Sequence, residues 1–597
     1  MRRSSSILAI LALWVGNTTT LHAQQTADSV QPESATAGVF SSLDPLVQAA
    51  FKSKNAGMPV NGQTWMVVAA NPHAVQAGAN ILDAGGTAAD ALVAVQTVLG
   101  LVEPQSSGLG GGAFLVWYDA ASGELTTIDG RETAPLAATP RLFQDANGEP
   151  LKFFDAVIGG RSVGTPGTPA LLQTAHDNWG KQPWSGLFDP AIALAKDGFV
   201  VSPRLAGLVA RDAERLASDV TASAYFLPNG EPIAVGATLV NPAYATSLAA
   251  VAKSGAAAIY TGDIAADIVA AVTSAPGNPG VLSAVDLAIY QAKERPAVCA
   301  SYRAHDVCGM GPPSSGALTV GQILGMLEGY DLSAGPNDPT VRRLMGDAAR
   351  LAFADRGRYM ADSDYVPMPT KGLVDPAYLA DRAALLMGER ALEEVSAGNP
   401  TFDHAFNFAD DVPIDLPSTS HVSIVDSYGN VASMTTTIEN AFGSRIMVGG
   451  FMLNNELTDF SFRSHRDGVP IANRIEPGKR PRSSMAPTIV MKDGAPVMAI
   501  GSPGGSRIIG YVAEAIIAQL DWGMDVQQAV SVPHMVNRFG TYDLEEGTQA
   551  VTLQSDLEGL GYEVGVRCLN SGLHAIVIGD TLQGGADPRR EGIAIGD

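Results

Sequence analysis

The alternation of apolar and polar positions is most informative between residues 419 and 437. The run 422 to 426 is rich in apolar and β-branched residues, and so is Val431-Ala432-Ser433-Met434-Thr435-Thr436-Thr437. Between them Ser427-Tyr428-Gly429-Asn430 supplies a corner, and two such runs around a Gly-Asn corner predict a β-hairpin. Counting back from the corner sets Thr437 across from Thr419 or Ser420. Nearer the start, Asn71-Pro72 opens a helix carrying Ala74, Ala77, Ala79 and Ile81, which stops at Gly85-Gly86; Thr87 then caps a second helix through Leu101. A strand is predicted from Ala113 to Tyr118, then a turn at Ala121-Ser122-Gly123 and a second strand into Asp129.

From about 160 to 385 helical patterns, such as Asp189 to Lys196 and Thr340 to Tyr359, alternate with loops such as Gly311-Pro312-Pro313-Ser314-Ser315-Gly316. They read as a helical layer wrapped on a sheet. Residues 385 to 418 are acidic and irregular and read as an exposed connector. After the hairpin come strands over Thr488–Met491 and Pro496–Ile500 around a Lys492-Asp493-Gly494 turn. Gly501-Ser502-Pro503-Gly504-Gly505-Ser506 follows and leads into a helix from about Arg507 to Leu520.

The 597 residues are 46% hydrophobic with no long polar gap, which favours one large body. Residues 1 to 23 differ. A basic Met1-Arg2-Arg3, an apolar Ile7 to Val15 and the small Ala23 read as a secretory signal, too short for a membrane span. Gln24 to about Asn55 is rich in Ser, Ala and Gln and is expected to be poorly ordered. With 38 Lys plus Arg against 61 Asp plus Glu the formal net charge is −23, which argues against nucleic acid or anionic membrane as partner. Of three cysteines, Cys299 and Cys308 flank a turn near Tyr302 to His305 and can face each other in an oxidising compartment, leaving Cys568 as a buried apolar residue. Nine histidines, with no His-x-x-x-His and no Cys-x-x-Cys, give no metal site.

Two features carry candidate chemistry. A threonine becomes a nucleophile only with an adjacent base, and a chain cut just before it supplies one, its own α-amine. Thr-rich strands are otherwise plain β-structure. Two glycines at a helix start, Gly504-Gly505, expose backbone N–H groups able to hold an oxyanion, although the loop is not a Gly-x-Ser-x-Gly elbow. The glycines Gly108 to Gly112 precede a strand, the wrong order for a dinucleotide fingerprint, so they indicate close backbone packing.

Seven blocks occur in an order that resembles the γ-glutamyltranspeptidase, or glutathione hydrolase, family of N-terminal-nucleophile hydrolases: Val102-Glu103-Pro104 with Gly108 to Gly112, Arg131 to Pro135, Pro312 to Gly316, Thr419-Ser420-His421, Leu453 to Glu456, Arg480 to Met485, and Gly501 to Arg507. The resemblance runs from about Met66 to the C-terminus. It implies a four-layer αββα sandwich of the α+β class and a precursor that cuts itself between Ser418 and Thr419. A signal peptide of 1–23, a large subunit of 24–418 and a small subunit of 419–597 follow, the two subunits forming a heterodimer, exported to the periplasm or beyond. Thr419 would be the nucleophile with its own amine as base, Thr437 would hold its hydroxyl, and Gly504 and Gly505 would form the oxyanion hole. A γ-glutamyl group, from glutathione above all, would pass to water or to an amino acid or peptide acceptor. No cofactor is implied.

The donor's α-carboxylate and α-ammonium call for opposite partners. By the same resemblance Arg131, Ser483 and Ser484 would bind the carboxylate, while Glu456 and Asp459 would face the ammonium. Glu439 departs from the asparagine typical of the family. It either crowds the ammonium as a third carboxylate or takes another role, such as pairing with Arg445, since 437 and 439 would share a strand face. The segment from Ser461 to Gly478 is shorter than the lid of long-lidded members, which suggests a more open acceptor side and larger substrates. The alternatives are a cephalosporin (glutaryl) acylase, disfavoured by the acids at 456 and 459, a poly-γ-glutamate-processing enzyme, and an inactive secreted binding relative, which would lack residues that are all present.

Overall fold

The computed structural model describes residues 37–404, 407–411 and 418–597. The expected signal segment lies outside the described residues. The two small-residue helices are Pro72–Asp83 and Ala88–Val102. Asn71 accepts from the His73 amide at 3.0 Å, and Thr87 and Asp90 form a reciprocal capping box. The helices pack closely because a Cβ at Gly78 would stand 2.6 Å from Val95 Cγ2.

Two seven-stranded sheets lie face to face. One runs in the order Val60–Gly62, Leu582–Ala586, His574–Ile578, Ala495–Gly501, Thr488–Lys492, His305–Gly309 and Val298–Tyr302. The other runs Ile593–Gly596, Met66–Ala69, Ser420–Val425, Val431–Thr437, Gly112–Asp119, Glu124–Gly130 and Lys293–Pro296. Three apolar cores fill the spaces between layers, and strand alternation sorts residues among them. Val67, Ala69, Leu115 and Ile424 point outward to Leu92 and Val95 of the helix Ala88–Val102. Met66, Val68 and Val116 point inward to Ile489 and Ile576 of the facing sheet. Val490 and Ile500 point out from that sheet to Leu324, Ala348 and Ile516. The layers are therefore helix, sheet, sheet, helix, the αββα sandwich expected from the sequence. Each of the Val, Leu, Ile and Met side chains contributes about 1.5–3 kcal/mol on burial, the alanines less.

The hairpin falls as its pattern predicts. Ser420 pairs with Thr436 and Val425 with Val431, so Thr419 stands opposite Thr437 at the open end. Met66–Ala69 flanks one side and Gly112–Asp119 the other. Both threonines occupy odd positions, the series that faces the second sheet. That series is apolar at the corner, where Val425 and Val431 join the core between the sheets, and polar toward the open end: Ser423 Oγ donates to the His574 carbonyl and Ser433 Oγ to the Ile500 carbonyl, both at 3.1 Å. His421 sits between Thr435 Oγ1 at 2.8 Å and Ser423 Oγ at 3.1 Å, and burial, with His574 beside it, holds its pKa well below the usual value.

Three expectations are corrected. The stretch up to Asn55 is not all irregular: Pro45–Asn55 is a helix with Asp44 as its cap, and it buries Val47, Ala50 and Phe51 beside Phe40. Its apolar residues recur at helical spacing within a polar composition. Cys568 is half-buried rather than a core residue, its thiol 3.2 Å from Glu546 Oε2. Glu439 does not share the strand face of Thr437, because the strand ends at Thr437 and Glu439 has φ 74°. Cys299 and Cys308 do pair, as a disulfide across adjacent strands. Arg303 and Ala304 take the two left-handed turn positions, with φ 49° and 58°.

Candidate active site

Thr419 lies just before the first hairpin strand with φ 124°, a left-handed conformation that strains a β-branched residue by about 1–3 kcal/mol. Neighbours hold it there. Ser418 Oγ donates to the Gln105 carbonyl at 2.8 Å, and Arg590 Nη1 donates to the Thr419 carbonyl at 3.2 Å. The Thr419 hydroxyl donates to Thr437 Oγ1 at 3.1 Å, and Thr437 Oγ1 also accepts the Glu439 amide at 2.8 Å. The left-handed turn at Glu439 aims that amide back at the strand end. A hydroxyl fixed in this way needs only a base to attack a carbonyl placed before it.

Thr419 and Thr437 line a pocket together with Arg131, Glu439, Glu456, Asp459, Ser483, Ser484, Met485, Gly505 and Ile508. Residues scattered from 131 to 508 in the sequence thus converge on one cavity. Gly504, directly before it, has φ 135° and Gly505 φ 58°. Both values favour glycine, and a Cβ at Gly504 would stand 2.8 Å from Tyr511 Cε2. Gly505 begins a short 3₁₀ turn that runs into the helix Ile508–Leu520, so the chain presents a helix N-terminus to the pocket.

Arg131 is fully buried. Its Nη1 pairs with Glu456 and its Nη2 with Asp459, while Nε donates to the Pro481 carbonyl at 3.1 Å and Nη2 to the Arg482 carbonyl at 3.0 Å. Glu132 stands 3.9 Å from Nη1. Burial alone would lower the arginine pKa, but Glu456, Asp459 and Glu132 outweigh it and push it above its ordinary value. Burial pushes the Glu456 carboxyl up to about 7, with Arg131 opposing and Asp459 adding. Burial, and then Glu456, push Glu132 well above the usual carboxylate range. The pocket therefore pairs one guanidinium with crowded acids, an arrangement suited to a ligand that brings both a carboxylate and an ammonium.

Ser483 Oγ accepts the Met485 amide at 3.1 Å, and Ser484 Oγ accepts from Arg356 Nη2 at 2.6 Å. Glu439 does not pair with Arg445, which is held by Asp212 Oδ2 at 2.8 Å and Asn440 Oδ1 at 2.8 Å. Instead Glu439 Oε2 accepts from Asn455 Nδ2. Sequence reasoning missed Glu132 and Arg356 as neighbours of the site. Glu132 follows Arg131 inside a block that carried the resemblance, whereas Arg356 sits on a helix with no local signal. Among the described residues no cluster of three or more His, Cys, Asp or Glu could hold a metal, and no helix is long and apolar enough to cross a membrane.

The chain is 36% identical over 550 residues to a glutathione hydrolase proenzyme of Bacillus subtilis, covering 90% of this chain and 92% of that one. It is 34% identical over 549 residues to an acylase ACY 1 proenzyme of a Pseudomonas species, covering 90% and 94%. The crystal structure of a cephalosporin acylase from Bacillus halodurans superposes with a TM-score of 0.80 at 25% identity, covering 90% of this chain and 97% of that one. The family model described as Gamma-glutamyltranspeptidase matches residues 74–597. The chain belongs to the γ-glutamyltranspeptidase family.

Proposed function

We propose that the chain is an exported precursor that cuts itself between Ser418 and Thr419 and then, as a heterodimer of 24–418 and 419–597, hydrolyses or transfers γ-glutamyl groups, with glutathione as donor. The observation that carries this is the Thr419 hydroxyl on Thr437 at 3.1 Å, at the wall of a pocket that also holds Arg131 and the acids. In self-cleavage, Thr419 Oγ attacks the Ser418 carbonyl, the C–N bond breaks, and the acyl group moves to oxygen as an ester. Water then cleaves the ester, leaving a carboxylate on Ser418 and a free amine on Thr419. The strained φ of Thr419 involves the very bond vector that is released, which favours the cut chain.

In turnover the amine takes the Thr419 Oγ proton as Oγ attacks the γ-amide carbonyl. Gly504 and Gly505 amides hold the oxyanion, a contribution of roughly 10²–10³ in rate. The ammonium returns the proton to the leaving amine, and the γ-glutamyl ester passes to water or to an amino-acid or peptide acceptor. Arg131, Ser483 and Ser484 hold the donor's α-carboxylate; Glu456, Asp459 and Glu439 face its ammonium. The acylase reading is supported by the names of two similar proteins. Against it, a glutaryl chain end brings no ammonium to balance Glu456 and Asp459.

Intact mass of wild type beside Thr419→Ala, followed by glutamate release from glutathione, tests both steps. Two wild-type fragments, the smaller starting at Thr419, one mutant chain and released glutamate are expected. An uncut wild-type chain overturns the mechanism. A cut chain that releases no glutamate overturns the donor.

A further inference from the structure

The turn Glu103-Pro104-Gln105-Ser106-Ser107, which follows the helix Ala88–Val102, takes no part in the chemistry above. It nevertheless binds both flanks of the hairpin end. The Gln105 carbonyl accepts from Ser418 Oγ at 2.8 Å and from the Phe442 amide at 3.1 Å, and the Ser106 carbonyl accepts from the Ile438 amide at 3.2 Å. Glu103 Oε2 accepts from Ser420 Oγ at 2.9 Å. One five-residue turn thus holds the residue before Thr419, the residue after it, and the residue after Thr437. From the opposite side Arg590 Nη1 holds the Thr419 carbonyl at 3.2 Å, its Nε anchored on Asn570 Oδ1 at 3.0 Å.

Glu103 is the ionisable member of this clamp, only 1% exposed. Arg204 faces it from the helix Pro203–Leu216, with Nε 3.5 Å from Oε1. Arg590 and Glu591 face it from the segment before the last strand. Behind them Lys54, on the helix Pro45–Asn55, donates to the Arg590 and Gly592 carbonyls. Burial pushes the Glu103 carboxyl up to about 7, Arg590 opposing, Glu591 adding and the Ser420 hydrogen bond opposing. A buried acid of this kind serves either as packing for the fold or as a support for what it touches, and what it touches is the residue next to Thr419.

We propose that Glu103 is a positioning residue for Thr419, fixing the main chain beside it through Ser420 and, when ionised, raising the basicity of the amine freed there. The proposal rests on the self-cleavage reading. An anion near an ammonium favours the charged form, so loss of Glu103's charge lowers the amine pKa from a reference near 7.7–8.0. The acid limb of kcat/KM, where the amine is protonated and cannot act as base, then moves to lower pH. A purely structural residue leaves that limb in place.

The test uses cleaved wild type, Glu103→Gln, Glu103→Asp, Ser420→Ala and the Glu103→Gln/Ser420→Ala double variant, with γ-glutamyl-p-nitroanilide as donor across the pH range. Glu103→Gln keeps an oxygen that can accept from Ser420 but loses the charge. The expected result is a kcat about tenfold lower with KM within about twofold, and an acid limb about half a pH unit lower. Glu103→Asp should restore the limb, Ser420→Ala should lower kcat without moving it, and the double variant should lose less than the product of the singles. An unmoved limb, an effect on KM alone, or singles that multiply overturns the proposal. If Glu103→Gln does not fold, Ser420→Ala and Glu103→Asp decide: wild-type cleavage and turnover in both overturns it. If wild type cleaves itself but releases no nitroaniline, the γ-glutamyl reading fails by itself, and Glu103 is judged on the self-cleavage half-time, an unchanged value overturning its role.

Discussion

Replacing Arg131 by methionine removes the one guanidinium from the crowded acid pocket and tests both its stability and its proposed donor contact. In the folded chain Glu456, Asp459 and the Pro481 and Arg482 carbonyls all lose a donor. Breaking a buried pair by removing one partner costs about 3–5 kcal/mol, a large share of a total stability of about 5–15 kcal/mol. The cost depends on pH. The Glu456 carboxyl, already raised from 4.5 to about 7 in the wild type, rises further without Arg131. A carboxyl whose folded pKa lies above its unfolded value supports the fold while protonated and loses that support as pH rises through the folded value. The variant's urea midpoint should therefore fall least behind wild type near pH 4.5, where the orphaned Pro481 and Arg482 carbonyls still cost stability, and furthest behind above pH 7. For the donor, the one N–H that Arg131 still has to offer, on Nη1, is lost; one charge-assisted bond at about 1.5–3 kcal/mol should lower kcat/KM about 10–150-fold. A stability deficit that does not grow with pH refutes the electrostatic reasoning, and an unchanged kcat/KM refutes the assignment of Arg131 to the donor.

Further outcomes follow from the same contacts. Thr437→Val removes the acceptor of both the Thr419 hydroxyl and the Glu439 amide; kcat should fall about 10–100-fold with KM within about twofold, measured by steady-state kinetics, and the orphaned amide should cost about 1–3 kcal/mol in denaturant unfolding. Gly504→Ala meets both a φ of 135° and a Cβ 2.8 Å from Tyr511 Cε2. It should cost roughly 10²–10³ in kcat, read from pre-steady-state acylation, while the fragments remain associated on size-exclusion chromatography. Cys299→Ser opens the cross-strand disulfide and should lower unfolding free energy by about 2–3 kcal/mol without altering KM, as followed by denaturation with and without reductant.

The hairpin shows how far local pattern reaches. Its strands, its corner and the placing of Thr437 across from Thr419 or Ser420 were legible because side-chain alternation has a period of two and the corner nearly fixes the register, which the pairing of Ser420 with Thr436 then settles. The helices at Pro72–Asp83 and Ala88–Val102 were legible for the same local reason, since caps and glycine stops act within a few residues. Pro45–Asn55 was misread because three buried apolar residues decide its fate and their partners lie elsewhere in the chain. The pairing of Arg445 with Asp212 was invisible, being an interaction across 233 positions of sequence. Glu439 was misplaced because nothing nearby signals that the strand stops at Thr437 and the next turn is left-handed.

The sequence by itself determined the candidate threonines, the paired glycines and, through ordered blocks, the family and the α+β class that the family implies, because each depends on short-range periodicity or on residue identity. Only the tertiary structure decided what surrounds them. It gathered Arg131, Glu456, Asp459, Ser484 and Gly505 around Thr419, let burial raise Glu456 and Glu103 toward neutrality, and set the turn at Glu103 against Ser420. Those are long-range contacts and a low-dielectric interior, and neither is encoded in any local stretch of chain.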